Sequence, residues 1–192
     1  MKIKILKNGN EKNITPPRDG DLGYKIAWKE ALIKGRFMSY TSEEFVDGEV
    51  RLQRYMTDPT FYVFSRVDYI EYNTGIQLQT EKGCYIYPRS SLSKRSLAQC
   101  NSVGVIDPSY TGNLIVRFNY IFQPEDFIDI KRAIINVDKI YNIGDDVGQI
   151  VFDHSYNKEI ELEYVEKLEE TERGSGRFGS TDKQWINLKY KN

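Results

Sequence analysis

The sequence predicts an all-β sandwich or barrel, and three features carry that prediction. Its apolar residues recur with a period of two rather than 3.6, as they do on a pleated strand. The stretches that show this are short, and Gly, Asn and Asp clusters punctuate them. With 192 residues, 40% of them hydrophobic and 13% aromatic, the chain is long enough to bury a real core within one domain.

In chain order, Lys2–Leu6 (KIKIL) alternates basic and apolar residues and is the first strand. Ala27–Lys34 (AWKEALIK) is rich in helix formers and reads as a helix. Phe61–Ser65, Gly75–Gln79 and Cys84–Tyr87 are short strand candidates. Ser91–Cys100 opens on a serine able to cap a second short helix. In Asn113–Phe122, Leu114, Val116, Phe118 and Tyr120 alternate with Ile115, Arg117, Asn119 and Ile121, which suits a strand buried on one or both faces. Gln149–Phe152 is a further strand. In Glu159–Val165, Glu159, Glu161 and Glu163 alternate with Ile160, Leu162 and Tyr164, the pattern of a half-solvated strand. Arg173–Thr181 (RGSGRFGST) has the composition of a flexible arm.

Composition excludes several function classes. With 27 basic against 28 acidic side chains and a net charge of −1, the chain is not a generally basic protein that coats nucleic acid, although a local basic pocket for a small anion remains open. Mean hydropathy is −0.57, and no run approaches the roughly 18 apolar residues of a membrane helix. The charged start, MKIKILKNGNEKN, has no apolar stretch after it and does not read as a secretory signal. Two cysteines, Cys84 and Cys100, are too few for a disulfide framework or zinc site and fit a reducing cytoplasm. The one histidine, His154, sits where a strand runs into a turn and reads as a solvated loop residue. The chemistry therefore falls to carboxylates, arginines and backbone amides.

Three segments have the composition for it. In Tyr87–Leu92 (YPRSSL), Arg89 with Ser90 and Ser91 can grip an oxyanion, the guanidinium forking onto phosphate oxygens; the same residues also read as a capped helix with a surface arginine. Asn101–Gly112 (NSVGVIDPSYTG) reads as a strand, then a tight turn carrying Asp107. That carboxylate can hold a water, with Tyr110 three residues on as an aromatic face, though Asp-Pro also begins ordinary hairpin turns. In the Gly-rich arm, Gly174, Gly176 and Gly179 permit close backbone approach to phosphate, but the P-loop pattern is absent. Phe178, flanked by glycines, has nothing of its own to pack on and suits stacking against a flat base.

Taken together and in this order, these segments resemble the trimeric dUTPases (deoxyuridine triphosphate nucleotidohydrolases). Gly23-Tyr24, the PRSS element, GVIDPSYTGN, GDDVGQIVF and ERGSGRFGST follow one another as that family's motifs do, and the lead-in NTGIQLQTEKGCYIYPRSS is similar as well. The resemblance covers most of Asn73–Thr181 and implies a jelly-roll-like distorted β-barrel, assembled as a homotrimer with active sites shared between subunits. It implies hydrolysis of dUTP to dUMP and pyrophosphate in pyrimidine deoxynucleotide metabolism. Asp107 would activate the water that attacks the α-phosphorus. Tyr110 would lie against the deoxyribose and exclude a 2′-hydroxyl, main chain at Gly104 and Ile115 would read the uracil edge, and Asn101 would stand near the base. Arg89, Ser90, Ser91 and Gln149 would hold the triphosphate, Arg173 would reach the γ-phosphate, and Phe178 would stack on uracil while Gly179, Ser180 and Thr181 close over the terminal phosphates. Mg²⁺ would be held by the triphosphate and water rather than by a direct protein ligand. Neither nucleic acid nor a membrane is implied as a partner.

The chain also departs from the family pattern. Lys25 stands where an aspartate usually helps to arrange the hydrated metal, Asp146 replaces an arginine, Gly148 an alanine and Arg177 a glycine. Two alternatives remain at this point: a dUTPase-like nucleotide-binding regulatory protein with weak or lost catalysis, motivated by Lys25, and a homologue of the dCTP deaminases. The latter place a catalytic glutamate on the strand after the aspartate turn, where this chain has Arg117, and lack the Gly-rich arm. The spacings from Tyr24 to Arg89 and from Asp107 to Gln149 exceed the family pattern. They imply one barrel domain over 1–172 with insertions near 28–60 and 120–142, followed by an arm and tail over 173–192.

Overall fold

The computed structural model describes residues 2–39, 44–52, 62–142, 144–152 and 160–176. Within them run fifteen strands: β1 (Lys2–Leu6), β2 (Ile14–Thr15), β3 (Tyr24–Ala27), β4 (Glu30–Ser39), β5 (Val46–Leu52), β6 (Tyr62–Asn73), β7 (Leu78–Gln79), β8 (Cys84–Tyr87), β9 (Leu97–Gln99), β10 (Gly104–Ile106), β11 (Ile115–Tyr120), β12 (Phe127–Asp129), β13 (Arg132–Ala133), β14 (Asp146–Phe152) and β15 (Glu161–Val165). The helices among the described residues are single 3₁₀ turns at Glu11–Asn13, Ser90–Lys94, Pro124–Asp126 and Val137–Lys139.

The all-β class is as expected. The strands form three distorted sheets rather than one continuous closed barrel, an arrangement consistent with a jelly-roll-like fold. One sheet has the order β15-β1-β7, the second β10-β8-β14-β3-β2 and the third β12-β13-β6-β11-β9, with β4 and β5 extending the third beside β6. β1 and β15 pair in parallel, so the two distant segments that sequence periodicity marked as strands lie side by side. The inward residues of β1, Ile3 and Ile5, join a core with Ile26, Ile33, Ile70, Ile86, Phe118 and Ile150. Fully burying each such side chain contributes on the order of 1.5–3 kcal/mol. On the outer face Lys4 pairs with Glu169 at 2.6 Å and Lys7 with Glu166 at 2.7 Å. These exposed pairs add little to stability.

Two helix expectations are corrected. Ala27–Lys34 is not helical: β3 ends at Ala27 and β4 begins at Glu30, paired on one side with β5 and on the other with β6. Ladder bonds on both edges and burial of Ala31 and Ile33 outweigh the helix-forming composition. Over Ser91–Cys100 only a 3₁₀ turn at Ser90–Lys94 forms, and β9 follows it; no serine side chain caps the turn. Gly75–Gln79 narrows to Leu78–Gln79, because Gly75 adopts a left-handed φ of 71° that breaks extended pairing. Conversely, the Phe61–Ser65 strand extends to Asn73, with Phe61 itself outside the described residues.

Tyr72 ties the third sheet to the segment before β14. Its hydroxyl donates to the Tyr141 carbonyl at 3.2 Å and accepts from the Tyr141 amide at 3.1 Å. Its ring meets Trp28, Phe118 and Tyr141 edge-on at 5.6–5.8 Å. Burial pushes the Tyr72 hydroxyl well above the ordinary tyrosine range. The same desolvation pushes the Cys84 thiol up to about 12.

Candidate active site

β8 and β10 pair antiparallel with Gly104 opposite Ile86 and Ile106 opposite Cys84. The chain then turns sharply, the Tyr110 amide donating to the Asp107 carbonyl at 3.0 Å. The turn is braced from both sides. Gly83, at a φ of 76°, backs onto it so closely that a Cβ there would lie 2.5 Å from the Ile106 carbonyl oxygen and 3.3 Å from Pro108 Cδ. Gly112 lies against the Tyr110 ring, where a Cβ would come within 2.7 Å of the hydroxyl oxygen. That hydroxyl donates to the Asn113 carbonyl at 2.6 Å, so the ring is locked over the turn. Gly83→Ala is therefore expected to cost about 2 kcal/mol or more, from backbone strain and the collision with Ile106 together. Urea denaturation measures this, and an unchanged midpoint would mean that Gly83 does not brace the turn.

The turn borders a cavity of about 130 Å³. Gly104, Asn101, Gln99, Ile86 and Ile115 form its walls, with Asp107, Tyr110 and Arg173 also lining it. The C-terminal run completes it. Gly174 bridges in parallel to Tyr110, the Thr111 amide donates to the Gly174 carbonyl at 2.9 Å, and the Thr171 hydroxyl donates to the Ser109 carbonyl. Thus Thr171 holds the run in place, and Arg173 arrives beside Asp107, with which it forms an ion pair. The Arg173 guanidinium lies 5.9 Å from the Tyr110 ring centre, and its Nε is buried without a hydrogen-bond partner. The Asp107 side chain is 42% exposed, so water reaches the carboxylate.

A second depression, of about 650 Å³, lies around the other end of β8. Arg89, Ser90, Gln149 and Lys25 line it, with the Gly20–Gly23 loop at its edge. Here β14 runs between β3 and β8, which puts Gln149 level with Lys25 on one side and Tyr87 on the other. Gln149 Nε2 donates to the Pro88 carbonyl at 3.3 Å, and Arg89 pairs with Asp146 at 2.9 Å. Ser91 follows on the same 3₁₀ turn but lines neither depression.

The candidate residues thus form two groups: Asn101, Gly104, Asp107, Tyr110, Ile115 and Arg173 around the cavity, and Arg89, Ser90 and Gln149 along the groove. Phe178, Gly179, Ser180 and Thr181 lie outside the described residues, as do Arg177 and His154. Gln99 and Thr171 lie outside the motifs named above, and the Arg89–Asp146 pair joins two separate motifs, so neither the two residues nor the pairing was legible in the sequence. Arg117, at the position of the deaminase glutamate, forms an ion pair with Glu71 at 2.7 Å and stacks over Tyr69 at 4.1 Å, away from the cavity lining.

The chain is similar to known dUTPases. The family model for dUTPase matches residues 57–182. The mouse deoxyuridine 5′-triphosphate nucleotidohydrolase is 35% identical over 153 residues, covering 70% of this chain and 83% of the mouse protein. The corresponding protein of Heliobacterium modesticaldum is 36% identical over 111 residues, 56% of this chain and 60% of its own length. Among solved structures, a dUTPase of Staphylococcus bacteriophage 80alpha with dUpNHpp covers 93% of this chain and 97% of its own, with 18% identity and a TM-score of 0.49. With a family model spanning well over half of its length and a relative matched over most of that relative's own, the chain belongs to the dUTPase family.

Proposed function

We propose that the protein hydrolyses dUTP to dUMP and pyrophosphate by attack of water on the α-phosphorus. The observation that carries this reading is the carboxylate of Asp107 at the edge of a base-sized cavity, with Tyr110 locked beside it and Arg173 brought in from the C-terminal run. The cavity would take uracil, with main chain at Gly104 and Ile115 and the side chain of Asn101 against the base. Asp107 accepts a proton from the water as its oxygen bonds to the α-phosphorus, and the bond from phosphorus to the pyrophosphate oxygen breaks. Arg173 exchanges the Asp107 carboxylate for the γ-phosphate when the nucleotide binds. Arg89, Ser90, Ser91 and Gln149 grip the triphosphate, and Phe178 with Gly179, Ser180 and Thr181 covers the base and terminal phosphates. Positioning and electrostatic clamping supply most of the rate enhancement in such a transfer.

No three acidic, histidine or cysteine side chains converge among the described residues. The groove offers Arg89 and Lys25, with Asp21 as its single acidic lining residue. These cations suit phosphate oxygens, and magnesium would enter bound to the triphosphate, where it neutralises charge on the leaving pyrophosphate. The separation of the two residue groups supports a homotrimer, in which the groove of one copy meets the cavity of another. No described helix is long and apolar enough to cross a membrane.

Lys25 in the groove favours a second reading, in which nucleotide is bound with weak or lost turnover. One assay separates the readings. Purified protein with Mg²⁺ is incubated with dUTP, dCTP, dTTP and UTP, and the products are resolved by chromatography. Rapid release of dUMP from dUTP alone is expected. Binding without dUMP would support the second reading, and ammonia release from dCTP would indicate deamination instead. Tyr110→Ala should raise UTP turnover relative to dUTP by about tenfold or more, through loss of the wall against the 2′-carbon. An unchanged ratio would remove Tyr110 from the sugar site.

A further inference from the structure

We propose that Gln99 is a positioning residue for base discrimination: it orients the Asn101 carboxamide so that its NH₂ group, not its oxygen, faces the base. The inference rests on the reading of the cavity as a uracil site. Gln99 is buried on β9 and lines that cavity. Its Nε2 makes two contacts, donating to the Ile86 carbonyl at 3.3 Å and to Asn101 Oδ1 at 3.2 Å.

These contacts form a relay with a fixed direction. A backbone carbonyl can only accept, so the Ile86 oxygen requires Nε2 of Gln99 on its side. The observed orientation leaves Gln99 Oε1 buried without a partner, but the reversed amide would set that oxygen against the Ile86 carbonyl oxygen, acceptor against acceptor, the costlier arrangement. Gln99 in turn requires an acceptor from Asn101, which commits Oδ1 and leaves Nδ2 for the other side. That nitrogen lies 3.6 Å from the point where a Cβ on Gly104 would sit, against the cavity wall formed by Gly104. The adjoining turn is held tightly as well: Ser102 adopts a left-handed φ of 55°, and its amide donates to the Gln99 carbonyl at 3.2 Å.

The consequence is a polarity filter at the edge of the base. Uracil carries an oxygen at its 4-position and accepts a hydrogen bond from Asn101 Nδ2. Cytosine carries an amino group there, and donor would face donor. A site built around one hydrogen-bond polarity rejects the opposite one more strongly than a merely snug pocket rejects a small change of shape.

The test compares kcat/KM for dUTP and dCTP in the full-length protein and in Gln99→Leu, Gln99→Glu, Asn101→Ala and the Gln99→Leu/Asn101→Ala double variant. Leucine releases Asn101 to rotate, and the dUTP/dCTP ratio should fall about tenfold or more, carried by KM for dUTP rather than kcat. A glutamate carboxylate accepts from Asn101 Nδ2, turns Oδ1 toward the base, and should lower the ratio further. Asn101→Ala should fall as far as Gln99→Leu, and the double variant no further, because both act through one contact. A loss of packing alone would lower activity on both nucleotides and leave the ratio in place.

A ratio within twofold of the parent in folded Gln99→Leu would overturn the proposal. If the Gln99 variants do not fold, exposed Asn101 decides: a tenfold lower ratio in Asn101→Ala supports it, and an unchanged ratio overturns it. A parent protein that releases no dUMP would instead sink the uracil-site reading itself, a result distinct from an unchanged ratio in an active enzyme.

Discussion

Asp107→Asn is expected to lower kcat on dUTP by a factor on the order of 10²–10⁴, the usual contribution of a positioned general base, while dUTP binding changes only a few-fold. The amide matches the carboxylate in shape and remains polar, but it does not take the proton of the attacking water. Folding should tolerate the change. The Asp107 side chain is 42% exposed, so loss of its ion pair with Arg173 has little weight for stability. The turn that carries it is held by main-chain bonds, by Gly83 and Gly112, and by the Tyr110 hydroxyl, none of which involves the carboxylate. Single-turnover kinetics and calorimetric titration with a non-hydrolysable dUTP analogue separate the two effects. Turnover close to that of the parent would move the activating base elsewhere, whereas loss of binding would recast Asp107 as a substrate contact.

This variant could be named from the sequence because turn chemistry is local. Asp107, Tyr110 and Gly112 occupy a short segment in which each residue type already signals a turn or an acid. β1 and β8 were legible to the residue, since KIKIL and CYIY lie where their alternation or apolar run predicts. β5 was not: VDGEVRL lies mostly exposed beside β4, and only Val50 is buried, so no apolar alternation marks it. β4 was misread because Lys, Glu, Ala and Leu favour a helix until two neighbouring strands claim their backbone groups. The same limit applies at the site. Gln99 gains its meaning from the Ile86 carbonyl on another strand, Arg89 is paired with a residue 57 positions away, and Thr171 reaches back 62 positions to Ser109. Contacts of that range leave no periodic trace in a single sequence.

Mixing two inactive variants is expected to restore activity. Asp107→Asn and Arg89→Ala should each be nearly inactive, the first through loss of the base and the second through loss of the bidentate grip on phosphate. If Asp107 and Arg89 of one site come from different copies, a refolded equimolar mixture contains sites in which both are intact. Each such site needs one copy that retains Asp107 beside one that retains Arg89, so random assembly yields about one quarter of the parent activity. Within one chain these residues line separate depressions, and each is already engaged by an opposite charge, Asp107 by Arg173 and Arg89 by Asp146. A nucleotide triphosphate brings the charge that can draw both arginines away from their carboxylates, but in a shared site the two exchanges occur on different subunits. A mixture as inactive as its components, with a tag on one variant shown to co-purify the other in trimers, would place Asp107 and Arg89 in the same subunit's site. A monomeric mass would refute the shared site directly, because the groove would then have no second copy to meet.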